Sequence, residues 1–175
     1  MYNVMPYYFA KDLIELPISV ILPLLFSFFY FGMGTDVTMM QFGCFYLIQL
    51  MVTLATSAYG QVIGSLFDTA ETACGLAPIV MMPFVLFSGF LTNLDTYPRW
   101  IGWIQYFSPI RYGFEAAMRN EFEDYHLLPI NIPNPIKFLN FKLGFKECMI
   151  GLFLTTILMK VLSCICLKLL MKKFQ

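Results

Sequence analysis

Long uncharged runs separated by short polar breaks dominate this chain. Leu16 to Thr35 carries no charge over 20 residues, Val37 to Phe67 none over 31, and Thr72 to Leu94 none over 23. A fourth run, Cys148 to Leu167, is 20 residues long and is interrupted by Lys160 alone. A hydrocarbon core about 30 Å thick needs about 20 apolar residues in a helix. The pattern therefore predicts an all-α membrane protein with about four spanning helices, at about 13–31, 40–64, 73–91 and 148–168, and an outer loop over 92–147. A closed barrel would need short segments of alternating polarity, which these continuous runs are not. Trp100 to Glu123 is too polar to span and too apolar to float free, and Pro109 breaks it. That stretch predicts a re-entrant or surface-lying helical pair. Leu128 to Pro135, rich in proline, predicts an irregular turn region.

Composition narrows the class further. The chain is 59% hydrophobic, 18% aromatic and 13% charged, against about 25% charged in soluble domains. Mean hydropathy is +0.70. A formal net charge of zero gives no reason to expect nucleic acid as a partner. Lys168, Lys172 and Lys173 after the last run argue for a cytosolic C-terminus, and an even number of spans puts Lys11 on the same side. Met1 to Pro6 lacks the pattern of a signal peptide. The first helix carries Pro17 and Pro23, and the third carries Pro78 and Pro83. Thr56, Gly60 and Gly64 form a small-residue stripe on the second, which predicts close helix packing.

Candidate chemistry is sparse. No Gly-x-x-x-x-Gly-Lys-Ser/Thr loop is present to cradle ATP phosphates, and His-Glu-x-x-His is absent. His126, the single histidine, sits in a polar loop without clustered ligands, so neither a catalytic nor a metal site is expected. The loop between Asn93 and Glu147 has no cysteine, which excludes a disulfide-stapled ectodomain. All five cysteines are read as structural, with a Cys44–Cys148 pair near the outer face as the alternative. Glu15 and Lys160 lie where charge is expensive. Glu15 is four residues from Lys11 and is expected to pair with it. Lys160 is expected to snorkel toward the cytosol near Lys168. Arg111, Glu115 and Arg119 recur every four residues, a charged ladder that predicts a solvated helix face.

The order of several short motifs carries a resemblance. Tyr2-Asn3-Val4, Glu15-Leu16-Pro17, Tyr30-Phe31-Gly32-Met33-Gly34, Phe87-Ser88-Gly89-Phe90-Leu91-Thr92-Asn93, Trp103 to Pro109, Arg111-Tyr112-Gly113-Phe114-Glu115 and Asn120-Glu121-Phe122 stand in sequence. Together they resemble the membrane domain of the G subfamily (White type) of ABC transporters, an ABC-2 type domain. The resemblance implies a half-transporter whose ATPase domain and first two membrane helices lie outside these 175 residues. It also implies that two halves form the working unit. ATP and Mg would then be bound by that ATPase domain, with no cofactor and no enzyme activity in this portion. The partners implied are the ATPase domain, a second half-transporter, the bilayer and a hydrophobic or amphipathic substrate such as a lipid or sterol. Phe90 and Leu91 match the family's outer gate, and Met82 and Val85 match its central cavity, with ordinary helix packing the alternative for that pair. Glu15, Asn93, Arg111, Glu115 and Glu121 are family-motif residues whose role the resemblance leaves open. A non-transporting partner of a full-length half-transporter, or a truncated remnant, is the alternative function.

Overall fold

The computed structural model describes residues 4–33, 38–67, 69–89, 102–122, 136, 139, 141 and 143–173. The elements among these residues are all helical. They are α1 (Val4–Gly32), α2 (Met39–Leu66), α3 (Ala70–Leu86), a 3₁₀ turn (Ile104–Phe107), α4 (Pro109–Phe122) and α5 (Phe145–Lys173). Among the described residues three helices are long and apolar enough to cross a membrane, over Tyr8–Gly32, Met39–Leu66 and Phe145–Leu169, with mean hydropathies of 2.0, 1.4 and 2.2. The shorter apolar helix α3 has 17 residues, about 25 Å of rise. The protein is an integral, multi-pass membrane protein of all-α class.

Helix ends follow their local chemistry. At the start of α2, Gln41 Oε1 reaches back to accept from the Thr38 N–H at 2.9 Å, which satisfies a donor near the helix start. Thr69 caps α3 by accepting from the Thr72 N–H at 3.4 Å, and Glu71 in the first turn complements the helix dipole. Pro109 opens α4, where a missing N–H costs nothing. Ser108 just before it plays two parts. Its hydroxyl donates to the Phe84 carbonyl in the last turn of α3 at 2.8 Å and accepts from the Arg111 N–H at 3.2 Å. One side chain thus satisfies an orphan carbonyl and an orphan amide together. The chain leaves α3 through Gly89, whose φ of 82° lies in the left-handed region that glycine adopts at little cost.

The core forms where α2, α4 and α5 meet, and α1 packs mainly along α2. Ile48, Ala116 and Cys148 are buried together, beside Ala55, Tyr112 and Leu152. Close approach at this junction depends on two glycines. A Cβ on Gly113 of α4 would overlap the Cγ2 methyl of Val52 on α2. One on Gly151 of α5 would come within 2.8 Å of the Tyr112 ring. By contrast, a Cβ on Gly60 or Gly64 meets nothing within 4 Å. The small-residue stripe of α2 therefore packs on no described helix of this chain, contrary to its expected role, while the tight contacts occur at glycines that no stripe announced. Cys44 and Cys148 are both free thiols, and Cys148 is fully buried, so the two are not paired.

Candidate functional site

Polar groups inside these helices gather at two levels. The first is near the start of α1 and the end of α2, where Tyr8, Asp12 and Glu15 of α1 meet Gln61 of α2 and Lys160 of α5. Gln61 is the hub. Its Nε2 donates to Asp12 Oδ1 at 2.7 Å and to Glu15 Oε2 at 3.0 Å. Its Oε1 accepts from the Tyr8 hydroxyl at 2.9 Å and from Lys160 Nζ at 3.4 Å. Lys160 Nζ also forms an ion pair with Asp12 and lies 5.7 Å from the centroid of the Tyr8 ring. Lys160 therefore turns inward to a carboxylate on a neighbouring helix instead of snorkelling toward Lys168. Within a bilayer a nearby counter-charge offers solvation that the lipid does not. Glu15 does have Lys11 at 4.0 Å, as their spacing predicts, and adds the Gln61 contact.

The second level is α4. Arg111 is buried, with its guanidinium 5.2 Å from the Tyr106 ring centroid and 5.9 Å from that of Tyr112. Its Nε and Nη1 make no hydrogen bond among the described residues. Glu115 is fully buried; its Oε1 accepts from the Leu143 N–H at 2.7 Å, while Oε2 makes no hydrogen bond among the described residues. Burial pushes the Glu115 carboxyl above its ordinary range, and the Leu143 amide, Arg111 and Arg119 oppose that shift. The expected solvated ladder is thus wrong for Arg111 and Glu115. The face carrying them is the one that enters the three-helix junction, because polar residues near the membrane are drawn to the protein interior. Further along α4, Arg119 Nη2 donates to the Phe141 carbonyl at 3.3 Å, and the Tyr30 hydroxyl of α1 donates to Glu121. Tyr59 of α2 donates to the Phe107 carbonyl, and Tyr112 to the Tyr106 carbonyl at 3.0 Å. These contacts hold the 3₁₀ turn and α4 against the spanning helices, without assembling a nucleophile and its base.

Met82 and Val85 lie on α3, three residues apart. Met81 and Phe84 of the same helix pack on the Ala58–Tyr59–Met159 cluster, with the Phe84 and Tyr59 rings 5.3 Å apart. Met82 is 61% exposed, turned away from that cluster. Phe90, Leu91, Asn93, His126 and the Leu128–Pro135 turn lie outside the described residues. Sequence reasoning noted Glu15 and Lys160 but missed Gln61 as their hub. Gln61 is one of three glutamines, with Gln41 and Gln49, in an otherwise uncharged span, so nothing local singled it out.

Residues 1–122 match the family model described as ABC-2 type transporter. The chain belongs to the ABC-2 type transporter family. Its relatives are of the ABCG and White kind. It is 31% identical over 131 residues to ABC transporter G family member 1 of Dictyostelium discoideum, covering 72% of this chain and 16% of that protein. It is 30% identical over 126 residues to Protein white of Drosophila melanogaster, covering 71% and 18%. It is 34% identical over 123 residues to the broad substrate specificity ATP-binding cassette transporter ABCG2 of Mus musculus, covering 69% and 19%. This ABC-2 domain chain spans less than a fifth of the length of these relatives.

Proposed function

We propose that these helices form part of the pathway of an ATP-driven exporter of lipids, sterols or other amphipathic molecules. In this reading two half-transporters face one another, and ATP is hydrolysed by a domain outside this chain. The four predicted spans correspond to the third through sixth of a half-transporter, with both chain ends cytosolic. The observation that carries the reading is the open apolar side of α3. Its Met81 and Phe84 face α2, while Ile79 and Met82 are 65% and 61% exposed. A helix anchored along one side leaves the other to line a space shared with a second half, and apolar walls suit hydrophobic cargo. The mouse relative ABCG2 is an ATP-binding cassette transporter, which supports the energy source.

The test is export. A longer form containing these residues, reconstituted in vesicles, is expected to move a fluorescent sterol or phospholipid when ATP is supplied. Leu91→Ala is expected to change the export rate, since Leu91 is assigned to the outer gate with Phe90; unchanged export would remove that assignment. Absence of export, together with co-purification of a full-length half-transporter, would instead favour a regulatory partner.

A further inference from the structure

A cleft of about 210 Å³ lies between α1, α2 and α5, directly beside the charged cluster around Gln61. Asp12, Glu15 and Lys160 border it, and Leu16 and Leu54 form apolar wall. We propose that this cleft binds one amphiphile bearing a single protonated amine, with the amine at Glu15 and the tail running toward the bilayer centre.

Depth supports that orientation. Asp12 lies eight residues from the midpoint of the Tyr8–Gly32 span, about 12 Å along the helix. The half-thickness of the hydrocarbon core is about 15 Å, so Asp12 sits near its headgroup edge, and Glu15 lies one turn further in, about 8 Å from the midpoint. Leu54 precedes Gln61 by seven residues, about 10 Å further into the membrane. The cleft is thus charged toward its lipid-headgroup end and uncharged further in, where Leu54, Ser19 and Thr156 line it, an order that suits an amphiphile in that leaflet. The volume holds a head and its first few methylenes, and the rest of the tail lies in lipid.

Charge and hydrogen-bonding capacity select the head. Asp12 and Glu15 bring two negative charges, and Lys160 is committed to Asp12. Lys11 stands 4.0 Å from Glu15 with side chains 46% and 37% exposed, and such exposed pairs contribute little. Glu15 is therefore left weakly neutralised. The three hydroxyls of the cleft already donate to their own helices: Ser19 to the Glu15 carbonyl, Ser57 to Leu54 and Thr156 to Leu152, at 2.9, 3.0 and 2.7 Å. Their oxygens remain acceptors. An ammonium group, with three donors and no acceptor, matches such a site; an alcohol matches it less well and a carboxylate is repelled.

The assignment deepens the export reading by naming a cargo class, and rests on that reading for the role of the ligand but not for binding. The experiment contains no ATP and measures retention of octadecylamine, octadecanol or octadecanoic acid by the full chain in phosphatidylcholine nanodiscs, using native mass spectrometry. One amine is expected per chain, retained about tenfold better than the alcohol, the worth of one charge-assisted hydrogen bond. Glu15→Gln should reduce this preference to below about twofold. Leu54→Trp, which fills the cleft without altering charge, should abolish amine retention. Lys11→Gln should leave it intact. Helix content by circular dichroism shows that each variant is folded. Equal retention of all three probes, preference for the acid, or undiminished retention by Leu54→Trp would overturn the proposal. Failure here with intact export would sink the amine site alone; absence of export with intact binding would sink the transporter reading.

Discussion

Gly113→Ala tests the packing of α4 most directly. The new Cβ would overlap the Cγ2 methyl of Val52, a β-branched side chain held in the core between α2 and α4. Overpacking of this kind costs about 1–3 kcal/mol. Alanine returns roughly 0.8–1.0 kcal/mol through its better helix propensity. The net loss is then about 1 kcal/mol, with the overpacking cost the larger of the two effects. Unfolding in mixed detergent micelles, followed by circular dichroism, measures it. Two comparisons isolate the cause. Gly60→Ala meets nothing within 4 Å, so it should stabilise by up to about 1 kcal/mol through propensity alone. Adding Val52→Ala to Gly113→Ala should recover most of the overpacking cost, giving a coupling energy of at least about 1 kcal/mol in a double-mutant cycle. If Gly113→Ala is as stable as Gly60→Ala, or the coupling is below about 0.5 kcal/mol, the α2–α4 contact is not as close as described.

Three further outcomes follow from the polar groups. Lys160→Met leaves Asp12 without its ion-pair partner; with both side chains about a quarter exposed, the loss should be about 1–2 kcal/mol, below the 3–5 of a fully buried pair, and Asp12→Asn should restore part of it in the same unfolding assay. Ser108→Ala should cost about 1–2 kcal/mol, above an ordinary cap because the Phe84 carbonyl is stranded as well; a loss under about 0.5 kcal/mol would show that the shared hydroxyl is dispensable. The Glu115 carboxyl is raised from 4.5 by burial, so its protonated form is favoured in the fold. Its contribution to stability is full below about pH 4.5 and is lost as pH rises through the folded value. Stability should therefore gain a component on acidification from neutral pH that Glu115→Gln removes; identical pH slopes for the two proteins would contradict the buried placement.

The spanning helices were legible because lipid demands long uncharged runs, and Pro109 marked the break between the 3₁₀ turn and α4. Burial within α4 was not legible. Four-residue spacing of Arg111, Glu115 and Arg119 says that they share a face, but not whether that face meets water or protein. Arg111, Glu115, Gly113 and Ala116 are all buried, a mixed set that hydrophobic patterning does not select. The ion pair of Lys160 was hidden for another reason: Asp12 is 148 positions away, so nothing local to Lys160 announces it. Glu15, by contrast, was visible through its neighbour Lys11. For Met82 and Val85 the sequence supplied a shared helix face, and the structure adds that Met82 turns away from the packed cluster.

The hydroxyl of Ser108 ties the Phe84 end of α3 to the start of α4. That hydrogen bond and the ring contact between Phe84 and Tyr59 both lie at this end of the helix, while its Ala70 end is the far one. Rocking by about 10° around that hydrogen bond would sweep the Ala70 end of a 17-residue helix through roughly 4 Å. Small rotations at the Ser108 joint thereby become displacements as large as a side chain where the polypeptide turns from α2 into α3.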